Sequence, residues 1–171
     1  MKETQEIHQK FEAVLAQWEQ DLHHSSEEEL RKQEAPEGWT LGQLYNHIIN
    51  SALHFHLRQV ATCCATNENS DQTRNERGDA AFTAGSVPPV RVHVPPSEQY
   101  TPKQPQSKQE LFEGMAKVKS AMSDALPLFE NNQGGKTQHP GMGWLNAGEW
   151  YQLIEMHWRH HQWQKERILA A

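Results

Sequence analysis

Ile7, Phe11, Val14, Leu15, Trp18 and Leu22 recur at three- and four-residue steps, so a helix over about residues 4–22 would carry one continuous apolar stripe. Three further segments repeat the pattern. Thr40-Leu41-Gly42-Gln43 reads as a capping box, in which hydroxyl and amide satisfy two free backbone N–H groups reciprocally. Leu41, Leu44, Tyr45, Ile48, Ala52 and Phe55 follow as its stripe. Ser107-Lys108-Gln109-Glu110 is a second box, followed by Leu111, Met115, Val118, Met122, Ala125 and Phe129. Asn146-Ala147-Gly148-Glu149 opens the fourth helix, which runs from Trp150 towards Leu169. Four one-sided helices must bury their stripes against one another. The expectation is an all-α chain, a four-helix bundle, with residues 1–171 as one domain.

About forty residues rich in Asn, Asp, Pro and Thr separate the second and third helices. A crossover that long lets those two helices run parallel. Val90-Arg91-Val92-His93-Val94 alternates between Pro88-Pro89 and Pro95-Pro96, and predicts a short extended segment lying across the bundle. Asn131-Asn132-Gln133-Gly134-Gly135 ends the third helix.

Charge and composition exclude several classes. The formal net charge is -6 and Lys and Arg are scattered, whereas a nucleic-acid face needs them clustered. No stretch reaches the apolar length of a membrane span, and the polar start Met1-Lys2-Glu3-Thr4-Gln5-Glu6 has no apolar signal core. The expectation is a cytoplasmic protein without membrane or nucleic-acid partners. The two cysteines, Cys63 and Cys64, are adjacent and read as free thiols in a reducing compartment.

Histidine is the unusual residue, at eleven in the chain. At about 100° per residue, Trp150, Leu153, Ile154 and Ile168 define the apolar direction of the fourth helix, and His157 and His161 point into its middle. His160 lies nearer the edge and Arg159 points away. Two neutral imidazoles in a core stripe need partners, because each carries a donor and an acceptor. Neighbouring side chains or water would serve; a divalent cation would satisfy both acceptors at once. His47, on the flank of the second helix beside Leu44, supplies a third imidazole from a facing helix. Three protein ligands leave the open position of a catalytic site. His54, two turns on, is a competing ligand or an outer partner, and His160 is a candidate fourth ligand. His56 is expected on the other flank. His8, His23, His24 and His93 are expected at the surface, and His139 in a turn.

Other chemistry is thinly supported. Glu155 points away from the histidine stripe, and Glu149 sits at the helix start. Gln164 lies on the stripe and could orient a ligand or simply end it. Tyr45 and Trp158 read as packing residues. A Cys63 or Cys64 nucleophile has no spacing to support it.

Gly38-Trp39-Thr40-Leu41-Gly42-Gln43-Leu44-Tyr45-Asn46-His47-Ile48 resembles the first motif of the DinB/YfiT-like family, a Trp and a helix start followed by a metal-binding His. His139 to Trp150 resembles the approach to that family's last helix, and Glu155-Met156-His157-Trp158-Arg159-His160-His161-Gln162 its closing His-x-x-x-His motif. The resemblance implies an up-down-down-up bundle with one divalent ion, nickel or zinc, on His47, His157 and His161. It further implies a transferase that joins a low-molecular-weight thiol such as bacillithiol or glutathione to a small electrophile, in a homodimer-forming family. A metal-dependent hydrolase, or a non-catalytic stress-related protein with a structural metal, is the alternative. The Pro-rich middle segment and the extra His160 depart from the family pattern.

Overall fold

The computed structural model describes residues 2–89 and 97–171. It is mostly helical, with one small two-stranded sheet that the sequence reading did not anticipate. Helix α1, Lys2–His24, buries Ile7, Phe11, Leu15, Trp18 and Leu22, the expected stripe. Helix α2, Leu41–Ser51, begins at the Thr40 box with both reciprocal bonds made. It passes through a π-helical turn, Ala52–His56, directly into α3, Leu57–Ala65. A short helix, α4, occupies Glu76–Ala84, and α5 spans Lys108–Ala125. The Ser107 box is only half made. Ser107 Oγ accepts the Glu110 N–H, but the Glu110 carboxylate takes the Gln106 N–H instead, at 2.8 Å. Strands β1, Lys136–His139, and β2, Gly143–Asn146, form an antiparallel hairpin leading into α6, Ala147–Ala170, which starts on the complete Asn146–Glu149 box.

The π turn changes which residues of the second long helix face inward. Such a turn winds in one extra residue, and so rotates everything after it by about 100° relative to an unbroken α-helix. Continuous α-periodicity puts Phe55 in the stripe and His56 on the far flank. With the extra residue, Phe55 is 38% exposed and His56 is buried at 4%. His54 turns out to solvent. Val60, Cys63 and Cys64 come into the core by the same rotation.

Residues 73–85 of the middle segment take regular structure that their composition does not suggest. Asn75 caps α4 by accepting the Gly78 N–H, and Gly85 ends it at φ 64°, the left-handed conformation that favours glycine. Thr73 to Asn75 lie along the hairpin, with bonds from Trp144 N–H to Thr73 O and from Asn75 N–H to Met142 O. Gly143 sits there at φ 80°, where an added Cβ would stand 2.6 Å from the Asn75 nitrogen. The extended segment expected at Val90–Val94, with His93, lies outside the described residues.

One hydrophobic cluster joins residues of α1, α2, α3, α5 and α6. Trp18, Trp150, Trp158, Tyr45 and Tyr151 are fully buried in it; removing such large side chains from water stabilises by roughly 1.5–3 kcal/mol each. Polar ties fix how the helices meet. Trp18 Nε1 donates to Trp158 O at 3.2 Å, and Tyr45 Oη donates to Trp18 O at 3.0 Å. Tyr151 Oη donates to Met122 O at 2.9 Å and is met by His8 Nδ1 at 2.8 Å. His8 is therefore an internal partner rather than the surface residue expected, whereas His23 and His24 are exposed. Lys165, 3% exposed, is ion-paired with Asp21 and lies 4.1 Å from the Trp18 ring centre. Among the described residues, no helix is long and apolar enough to cross a membrane.

Candidate metal centre

Three imidazoles from two helices meet at one point. His47 Nε2 on α2 lies 3.1 Å from His157 Nε2 on α6, and His161 Nε2 lies 3.0 Å from the same atom. The four-residue step on α6 stacks His157 and His161 on one face, with ring centres 4.5 Å apart. The capping box at Thr40 fixes the start of α2 and so the height of His47. Segment 102–105 holds that start from outside, through Gln43 Nε2 to Pro102 O and Asn46 Nδ2 to Lys103 O. Trp39 packs its ring 4.6 Å from that of His47.

Three nitrogens this close cannot all share protons. Gln164 Oε1 stands 2.9 Å from His161 Nδ1, so that nitrogen carries the ring's proton and Nε2 presents a lone pair. Burial lowers the His47 pKa to about 4, and burial with the neighbouring His47 charge lowers that of His161 to about 3. His157 is pushed well below the usual imidazole range, first by burial and then by the surrounding histidines. The cluster is neutral at pH 7 and rich in lone pairs, which is the state a divalent cation requires of its imidazole ligands. Tetrahedral bonds of about 2.0–2.1 Å would set ligand nitrogens roughly 3.3 Å apart. The donor set fits such an ion: the three ligand atoms lie within 4.8 Å of one another.

The remaining histidines separate clearly. His54 is exposed and does not join the cluster. His160 leans its ring on His161, centres 5.1 Å apart, while bonding towards the Val87 backbone. His139 accepts the Gly141 N–H at 3.0 Å and shapes the hairpin turn. His56 was missed: its ring lies 5.3 Å from that of His157, nearly perpendicular. Only the extra residue of the π turn brings it there, and α-helical counting has no way to include one.

The carboxylates considered as bases are engaged elsewhere. Glu155 pairs with Arg159, whose guanidinium also reaches Gly85 O. Glu149 closes the α6 capping box and pairs with Arg74. Cys63 is buried, with Sγ 3.6 Å from both Leu145 O and Thr137 Oγ1, and burial raises its pKa. Burial raises Cys64 as well. Both are free and buried.

No curated protein matches the chain. The family model of the DinB superfamily matches residues 3–164, nearly its whole length. The chain that brings His47, His157 and His161 together in this way belongs to the DinB superfamily.

Proposed function

We propose that this protein is a metal-dependent transferase, with one divalent ion, nickel or zinc, held by His47, His157 and His161. The single observation that carries the reading is the convergence of three imidazole Nε2 atoms from two helices. Among the described residues no fourth ligand joins them: His54 faces solvent and His160 is turned to Val87. A three-ligand site favours catalysis over a structural staple.

The superfamily resemblance suggests a low-molecular-weight thiol as cosubstrate and a small electrophile as acceptor. A divalent ion supplies the activation, since a coordinated thiol loses its proton at neutral pH. That chemistry asks little further of the protein, which suits a site where Glu149 and Glu155 are already paired. Hydrolysis, the alternative, gains most from a nearby free carboxylate base. The helix contacts support one up-down-down-up bundle in a single domain. Asp21–Lys165 and His8–Tyr151 imply that α1 and α6 run parallel, whereas His47–His161 and His56–Trp150 imply that α2 and α6 run antiparallel. A cytoplasmic location and a homodimer belong to the same reading.

Metal analysis of the untagged protein tests the site. Near one divalent ion per chain is expected, lost in His47→Ala, His157→Ala and His161→Ala and kept in His54→Ala. Thiol consumption with bacillithiol, mycothiol or glutathione and a panel of small electrophiles tests the reaction. Metal-dependent hydrolysis without thiol consumption would favour the alternative.

A further inference from the structure

Two ring nitrogens beside the histidine cluster have no hydrogen-bond partner among the described residues: Nδ1 of His56 and Nδ1 of His157. Both atoms are buried, and a buried polar atom without a partner costs on the order of 1–3 kcal/mol. The two rings are neighbours, centres 5.3 Å apart and at 87° to each other. The ring of Trp150 lies 5.9 Å from that of His56, centre to centre.

A water can bridge two such nitrogens when one ring donates and the other accepts. With its Nε2 facing His47 and His161, His157 carries its proton on Nδ1, a donor. An imidazole buried as deeply as His56 is neutral, with one ring nitrogen free to accept. The two rings, centres 5.3 Å apart, make no direct bond through these nitrogens, and one shared water would satisfy both.

We propose that His56 is a positioning residue for the metal centre, accepting the Nδ1–H of His157 through one shared buried water. The proposal rests on the three-histidine reading above. It gives His157 what Gln164 gives His161: a fixed tautomer, a fixed ring plane and a more basic ligand nitrogen. It also gives the π turn a purpose, because that turn alone carries His56 inward.

The test uses the full chain, untagged, with cobalt(II) as the probe and His56→Leu and His56→Gln as variants. Leu fills the space without accepting; Gln keeps an acceptor. Competition against a chelator should show cobalt affinity about 10- to 100-fold weaker in His56→Leu and largely restored in His56→Gln, with the visible ligand-field spectrum keeping its three-imidazole character. In zinc-loaded parent protein, ring-nitrogen NMR should show a slowly exchanging Nδ1 proton on His157, and this readout stands even where His56→Leu fails to fold. Parent-like affinity in His56→Leu, equal weakening in both variants, or loss of a nitrogen ligand would each overturn the role. Cobalt binding unaffected by His157→Ala would instead overturn the three-histidine site itself, and this proposal with it.

Discussion

Gln164 Oε1 and His161 Nδ1, one helical turn apart on α6, stand 2.9 Å from each other, and this contact decides which nitrogen of His161 faces the cluster. Without it the ring could turn or exchange tautomers. Gln164→Ala is expected to weaken divalent-metal binding about tenfold, whereas Gln164→Glu, which keeps the acceptor, should stay close to the parent. Isothermal titration with zinc would show it, and equal affinity in Gln164→Ala would contradict the orienting role.

The metal-free protein should lose stability as pH falls from neutral. In the unfolded chain each histidine takes up a proton near pH 6.5. In the folded chain His47 resists to about 4 and His56 and His161 to about 3, all chiefly through burial. Below about pH 6.5 the unfolded state therefore binds more protons, and unfolding free energy falls with pH by up to ~1.4 kcal/mol per unit for each such group. Urea unfolding in the presence of a chelator, between pH 7.5 and 4.5, should give this slope. His56→Leu should flatten it, and a pH-independent midpoint would refute the burial of neutral rings.

Neither thiol is expected to take part in chemistry. Cys63 lies under the hairpin against Leu145 O and Thr137, and burial raises both thiols. An aromatic disulfide reagent should label both cysteines in denaturant and react only slowly with the folded chain. The Cys63→Ser/Cys64→Ser double variant should keep full metal occupancy and turnover.

Asp21 and Lys165 make an asymmetric pair for mutation. Lys165 is almost wholly buried under Trp18, and Asp21 is its carboxylate partner. Asp21→Ala strands a buried cation and is expected to cost about 3–5 kcal/mol, whereas Lys165→Met, which removes the charge and keeps the packing, should cost far less. Thermal unfolding of the two variants at pH 7 checks the order; reversal would show that Lys165 finds solvent without its partner.

The features legible in the sequence are those that repeat locally. Apolar steps gave the helices, Thr40/Gln43 and Asn146/Glu149 marked two starts, and the i,i+4 pair His157/His161 pointed to the cluster because straight α-helical counting holds along α6. His47 was within reach because it precedes the π turn. His56 and His54 exchanged places because they fall within that turn, and Phe55 left the stripe for the same reason. The β1–β2 hairpin was missed because its strands are only four residues long and lack apolar alternation. Helix α4 was missed because its Ala-rich run has only a weak stripe, and Asn75 was passed over as its cap.

A π turn is also a statement about where this chain tolerates editing. An extra residue already wound into a helix can be excised, and the downstream stretch keeps its facing, because the coil relaxes to ordinary winding. Deletion scanning along residues 41–65 should therefore reveal one permissive window inside the turn at Leu53–Phe55, which spares the buried Ala52 and His56. A residue removed within 57–59, beyond the turn, would instead swing Val60, Cys63 and Cys64 out of phase with their partners. The same slack offers one route by which the spacing between His47 and the end of this helix can drift by a residue while the histidine cluster keeps its shape.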